Sequence, residues 1–176
     1  ERVWHETNVS YSGRYTPLDD FTLKPMPIQQ PRPPIWISGR KDVAMRRAAR
    51  YGDGWLPYMY TPEQLAESIA TIRKFGEEFE RDLSDFKPGL YIFTTVDEDG
   101  KRAVATATET LSRQYAQDFS QLVHKYALAG DPDACKARLR EYTDAGARVV
   151  ILSPCCPDDE VNGNLRNIAN DVIADF

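Results

Sequence analysis

The chain has 176 residues, 41% hydrophobic and 28% charged, with a formal net charge of -5. That length buries one core of ordinary size, and the negative balance gives no general attraction to nucleic acid or to anionic lipid. No apolar run approaches the roughly 20 residues that span a bilayer, and no basic-then-apolar leader marks export, so neither a nucleic acid nor a membrane is expected as a partner.

The three cysteines, Cys135, Cys155 and Cys156, are odd in number and lack framework spacing, which fits a reducing, cytoplasmic setting. The adjacent pair Cys155-Cys156 could serve as a redox pair or as metal ligands, but no further Cys/His cluster accompanies it. Free thiols near a strand end, with no metal, are the simpler reading. The chain opens Glu1-Arg2-Val3-Trp4 without an initiator Met, as though it continued from something longer.

Residues 1–33 hold little periodicity and many prolines, among them Pro17, Pro25, Pro27, Pro31 and Pro33. They read as an extended segment with short strand-like pieces. The interleaved Trp4, Tyr11, Tyr15, Phe21, Leu23 and Ile28 predict that it packs on a body rather than trailing as a tail. The body itself is expected over 34–176.

From residue 34 a rhythm begins. Ile35-Trp36-Ile37 is a short, continuously apolar run of the kind found in a strand buried on both faces. Residues 41–51 favour helix, with Ala44, Ala48 and Ala49 on one side and Arg46, Arg47 and Arg50 outward, and Gly52 suits a left-handed helix end. Trp55-Leu56-Pro57 is the next strand. Thr61-Pro62-Glu63-Gln64 is a helix start with Thr as cap, Pro at the first helical position and Gln three residues after the cap. Leu65, Ile69, Ile72, Phe75 and Phe79 then mark one face of a long helix.

Residues 89–96 form the third strand, broken by the acidic turn Asp97-Glu98-Asp99. Residues 101–127 predict one long helix or two broken ones. Asp131-Pro132 caps a further helix with inner face Cys135, Leu139, Tyr142 and Ala145, ended by Gly146. Residues 148–152 are the fourth strand, and Val161, Leu165, Ile168, Val172 and Phe176 mark a last helix. Short apolar strands alternating with helices predict an α/β fold with a parallel sheet and outer helices. Periodicity alone leaves open a flavodoxin-like sheet or part of a barrel, four strands being half of the eight that close a βα-barrel.

Parallel-strand folds bind ligands at the carboxyl ends of their strands, and a helix N-terminus there favours phosphate. The loop Ser38-Gly39-Arg40-Lys41 has the parts for such a site: a glycine for close approach, a hydroxyl and two cations. A solvated basic turn is the plain alternative. At the other strand ends, Tyr58, Met59, Thr94 and Ser153 are candidates to face a ligand. No catalytic acid, base or nucleophile stands out, since His5 and His124 adjoin no carboxylate or thiol motif.

The stretch LKPMPIQQPRPPIWISGRKDVAMRRAARYGDGWLP, followed by Pro62-Glu63, resembles the luciferase-like monooxygenase family, which includes bacterial luciferase and deazaflavin-dependent reductases. GDPDACKARLREYTDAGARVVIL, at 130–152, is similar to the family's last helix and eighth strand. The resemblance implies a TIM-type βα-barrel of which this chain holds the C-terminal half, strands five to eight. It also implies a cofactor phosphate at Ser38, Gly39, Arg40 and Lys41. The implied activity is oxidation of a small organic substrate with reduced FMN and oxygen. The alternatives are hydride transfer with a deazaflavin coenzyme, or a truncated, non-catalytic flavin-binding or assembly module. An unrelated flavodoxin-like binding protein is the competing reading. The implied partner is the N-terminal half of the barrel, or a second copy of the chain.

Overall fold

In the computed structural model, which describes residues 1–174 and 176, the proline-rich opening is not featureless. Within the unit Glu1–Ile35, strands β1 (Val9–Tyr11) and β2 (Leu18–Phe21) form an antiparallel hairpin with Val9 opposite Phe21 and Tyr11 opposite Leu18. Asn8 and Asp20 both have positive φ, a conformation their short polar side chains tolerate, and Asn8 Nδ2 donates to Asp20 Oδ1 at 2.6 Å. Arg32 pairs with Glu1 at 2.6 Å.

The second unit, Trp36–Phe176, alternates strands and helices: β3 (Trp36–Ile37), α1 (Asp42–Tyr51), β4 (Gly54–Trp55), α2 (Pro62–Glu78), β5 (Lys87–Val96), α3 (Gly100–Tyr115), α4 (Leu122–Tyr126), β6 (Ala127–Gly130), α5 (Pro132–Asp144), β7 (Val149–Pro154) and α6 (Val161–Asn167), with a π-helical turn at Ile168–Ile173. Every strand pairing in this unit is parallel.

Strand β5 is the spine. One edge takes β4 along its start, with Gly54 opposite Lys87, and β6 along its end, with Phe93 opposite Ala127. The other edge takes β7 from Gly89–Val149 to Thr94–Pro154. The sheet therefore has five strands where the apolar runs predict four. The additional one, Ala127–Gly130, lies at the end of the stretch expected to be helical. Its sequence, Ala-Leu-Ala-Gly, has no β-branched or aromatic residue and reads locally as helix. Tertiary pairing decides otherwise, because β4 ends at Trp55 and leaves the far part of that β5 edge to be filled.

Side chains on β5 alternate between two faces. Leu90, Ile92 and Val96 enter a core with Met45, Ala48 and Ala49 of α1, Leu65, Ile69 and Ile72 of α2, and Cys135, Leu139 and Tyr142 of α5. Phe93 joins a second cluster with Ala107 and Leu111 of α3, Phe119, and Val123 of α4.

The helix ends follow their sequence signals. At α2 both bonds of the capping box form, Gln64 N–H to Thr61 Oγ1 at 3.3 Å and Thr61 N–H to Gln64 Oε1 at 3.1 Å. At α5 the Asp131 carboxylate accepts from Ala134 N–H at 2.9 Å. Gly146, at φ +105°, closes α5 with Ala147 N–H bonding back to Tyr142 at 3.0 Å. Gly52 differs from expectation: its φ is -86°, because the chain runs extended from α1 into β4 with no reversal to make.

The last helix also departs from its apolar pattern. Leu165 is exposed, and a polar residue, Asn164, turns inward with Ile168 and Val172. Asn164 acts as a surrogate strand residue where β7 has ended. Its Oδ1 accepts from Val96 N–H at 2.9 Å and its Nδ2 donates to the Thr94 carbonyl at 2.9 Å. Asn167 Nδ2 adds a bond to the Val96 carbonyl at 2.9 Å. Replacing Asn164 with Leu keeps the branched shape but strands the Val96 N–H, at about 1–3 kcal/mol, while the Thr94 carbonyl keeps its bond from Cys155 N–H at 2.9 Å. The urea midpoint of Asn164→Leu is expected to fall accordingly; an unchanged midpoint would mean these bonds contribute nothing net.

Candidate functional site

The carboxyl ends of β3 and β4 lie side by side, and the loop leaving β3 is tightly held. Gly39 has φ +120°, and a Cβ on it would stand 2.7 Å from the Ala44 Cβ. The position accepts only glycine without strain. Its carbonyl accepts from the Trp55 indole N–H at 2.8 Å. Trp55 is fully buried, meets Tyr60 edge to face with centroids 5.5 Å apart, and the Tyr60 carbonyl in turn accepts from the buried Tyr142 hydroxyl at 2.6 Å. The loop is thus tied through two aromatic side chains to helix α5.

Beneath it begins α1, whose first backbone bond is Ala44 N–H to Lys41 at 2.8 Å. The N–H groups of Asp42 and Val43 precede that bond, and no side chain caps them. Ser38, Arg40 and Lys41 are exposed. The Arg40 guanidinium makes a long contact, 3.5 Å, to the Met59 carbonyl, and the Arg40 carbonyl accepts from the Tyr60 hydroxyl, also at 3.5 Å. The structure therefore brings Ser38, Gly39, Arg40 and Lys41 together at an uncapped helix N-terminus, with donors and cations that fit an anion. Two carboxylates stand nearby: Asp42 in the first turn of α1, and Glu67 in a cleft it lines with Arg40, Tyr60, Gln64 and Ser68.

The other sequence candidates separate. Tyr58 bridges to Tyr91 across the sheet, and the Tyr91 hydroxyl donates to Ser153 Oγ at 2.6 Å, so Tyr58 and Ser153 share one face. Met59, at φ +53°, packs against the second cluster. Thr94 lies elsewhere. It is fully buried, its hydroxyl donates to the Ile92 carbonyl at 3.1 Å, and alternation sets it on the side of Ile92 and Val96. Thr95 takes the opposite side, with its hydroxyl on the Cys155 carbonyl.

That shared face is the one turned from the first core. It is floored by Trp36, whose ring lies where Cβ atoms on Gly54 and Gly89 would fall within 2.6 and 2.9 Å. Above come Tyr58, Tyr91 and Ile151, then Phe93 and Ser153 in register. Tyr91, Phe93, Tyr115 and Phe119 form a run of ring contacts, with centroids 5.4, 6.2 and 5.3 Å apart. Burial pushes the Tyr115 phenol above its ordinary pKa. Tyr91, Phe93 and Trp36 are absent from the sequence candidates because the strands read as uniformly apolar. Counting alternate residues back from Phe93 places Tyr91 on its face.

All three cysteines are free and buried. Burial pushes Cys135 and Cys155 up to about 12, so neither is a thiolate nucleophile near neutrality. Among the described residues, no helix is long and apolar enough to cross a membrane.

A parallel βα sheet with a constrained, cationic strand-end loop and an aromatic face defines a class of ligand-binding α/β enzyme folds. The family model of luciferase-like monooxygenases matches residues 1–149, and the chain belongs to that family. It is similar in fold to an F420-dependent secondary alcohol dehydrogenase in complex with an F420–acetone adduct (TM-score 0.81, 19% identity, covering 98% of this chain and 58% of that one). It is also similar to monooxygenase RslO1 from Streptomyces bottropensis (TM-score 0.80, 21% identity, 99% and 57%). A third likeness is to the coenzyme F420-dependent tetrahydromethanopterin reductase from Methanopyrus kandleri (TM-score 0.77, 18% identity, 99% and 60%). The chain spans 57–60% of the length of these structures, and its five parallel strands with their helices are one part of the βα-barrel.

The backbone strain at Gly39 is directly measurable. Gly39→Ala is expected to destabilise by about 1–3 kcal/mol. Adding Ala44→Gly removes the 2.7 Å contact yet restores only part of the loss, since the backbone angle stays unfavourable. Denaturant titration of the pair measures both; full rescue would assign the cost to the contact alone.

Proposed function

We propose that this chain is the phosphate-holding part of a flavin-dependent oxidoreductase that oxidises a small organic substrate, with FMN as its cofactor. The observation that carries this reading is the uncapped start of α1 beneath Gly39, pinned by Trp55 and flanked by the exposed Arg40 and Lys41.

Phosphate fits there because backbone N–H groups, the positive end of the helix and two side-chain cations converge. Reduced FMN, when bound, supplies the electrons and the oxygen activation. The chain's own residues do three things. Arg40, Lys41 and the Asp42 and Val43 N–H groups bind the phosphate. Trp55 fixes the loop so that the phosphate has one position. The wall of Tyr58, Tyr91, Phe93 and Tyr115 lines the face where the substrate lies.

A deazaflavin coenzyme is the second reading. Two of the similar folds are of F420-dependent enzymes, at TM-scores of 0.81 and 0.77, on either side of the monooxygenase's 0.80. Either cofactor places a phosphate on the same loop.

Fluorescence titration with FMN, riboflavin and F420 tests the site. FMN is expected to bind more tightly than riboflavin, which lacks the phosphate. Arg40→Ala is expected to remove about 1.5–3 kcal/mol of charge-assisted bonding, or at least about ten-fold in FMN affinity, with riboflavin unaffected. Equal loss for both flavins, or no loss, makes the loop a solvated turn. Preference for F420 over FMN selects the second reading.

We further propose that the sheet completes itself against a partner, either the remaining barrel strands or a second copy. β3 and β7 each pair on one side only among the described strands, and open edges and apolar faces favour association. The chain alone is expected to show no turnover with reduced flavin and a small-molecule substrate, and to gain it with the complementary strands supplied. Activity from a monodisperse monomer, checked by light scattering, overturns this; no gain on complementation favours a non-catalytic module.

A further inference from the structure

The aromatic face holds a donor without a partner. The Tyr91 hydroxyl spends its proton on Ser153 Oγ at 2.6 Å. A serine oxygen that has accepted still has its own proton to give, and among the described residues the Ser153 hydroxyl donates to none. Tyr91 therefore orients it: the serine proton points away from the tyrosine oxygen.

The surroundings of that hydroxyl restrict the acceptor. Tyr58 and Ile151 are both 42% exposed and Tyr115 is 36% exposed, so the wall is open. It presents ring edges and faces rather than charge, with no carboxylate, ammonium or guanidinium among Tyr58, Tyr91, Phe93, Tyr115 and Ile151. A carboxylate pressed against them would lose its water and gain no counter-ion, a large cost. A neutral carbonyl loses less and gains one hydrogen bond. The ring run from Tyr91 to Phe119, with its edge-to-face and stacked contacts, favours a flat apolar body laid against it.

We infer that this face takes a flat, neutral, carbonyl-bearing molecule, its carbonyl oxygen on the Ser153 hydroxyl and its rings among Tyr58, Tyr91 and Tyr115. The inference deepens the oxidoreductase reading, on which it rests, by naming the substrate class of that site. Ser153 is then a specificity-determining residue and Tyr91 a positioning residue acting through it.

The test titrates the full chain with 2-acetylnaphthalene and with 2-naphthoate, two bodies of equal shape differing in charge, followed by saturation-transfer NMR. The ketone is expected to bind at least about ten-fold more tightly. Ser153→Ala should weaken the ketone by about five- to ten-fold, the worth of one neutral hydrogen bond, and leave the naphthoate unchanged. Tyr91→Phe keeps the ring but frees the serine proton to rotate, and should cost a smaller factor, about two- to five-fold. Circular dichroism confirms that both variants fold. Equal binding of ketone and carboxylate, no binding of either, or an indifferent Ser153→Ala overturns the inference. The preference for FMN over riboflavin, measured on the same variants, separates the two readings. If that preference stays while the ketone preference is absent, only this inference fails. If it is lost while the ketone preference stays, only the phosphate assignment fails.

Discussion

A buried indole must set its N–H against an acceptor, and Trp55 does so against the Gly39 carbonyl at 2.8 Å. Much else depends on that bond. It requires Gly39 to turn its carbonyl inward, which the +120° φ accomplishes, and it delivers the next residues, Arg40 and Lys41, to the start of α1. The same indole packs on Tyr60, whose backbone is held by Tyr142. One desolvated nitrogen thereby couples the interior of the sheet to a surface loop, so the position of two exposed cations depends on a residue with no exposure at all.

The site has two chemically distinct parts. The strand-end loop is wet and charged, built from backbone donors and long cationic side chains. The sheet face a few strands away is aromatic and neutral, with the hydroxyl pair Tyr91–Ser153 as its polar feature. A ligand with an anionic end and a ring suits such a division, since each part avoids the cost that the other would impose. The helices of the first core stand on the opposite side of the sheet from the aromatic face, whereas the charged loop sits on the start of one of them, α1.

Much of the architecture was legible because the signals were local. Thr61-Pro62 with Gln64, and Asp131-Pro132, announce helix starts through side chains that bond their own first turns, and the continuous apolar runs at 35–37 and 149–152 announce strands, though not strands buried on both faces, since Trp36 and Ile151 are exposed. The loop at 38–41 was legible for the same reason, a glycine and two cations between a strand and a helix. What was not legible depends on distant partners. Ala127–Gly130 is a strand only because β5 offers it an edge. Asn164 turns inward because β7 ends beside Thr94 and leaves the Val96 N–H without a strand partner on that edge. Thr94 and Thr95 are chemically alike, and only the register of β5 decides which one faces the first core. Tyr91 hid inside a run of eight residues that looked uniformly apolar.

Trp36 lies flat where Gly54 and Gly89 leave room for it, and that makes it a depth stop. Four residue steps along β5 lead from Gly89, at the level of the indole, to Phe93, about 13 Å at the usual strand rise, with Tyr91 midway on the same face. A flat body laid along the wall would meet the indole at that distance from Phe93. The two missing side chains thus work as a ruler, and a bulkier residue at either glycine would shorten it by forcing the indole upward.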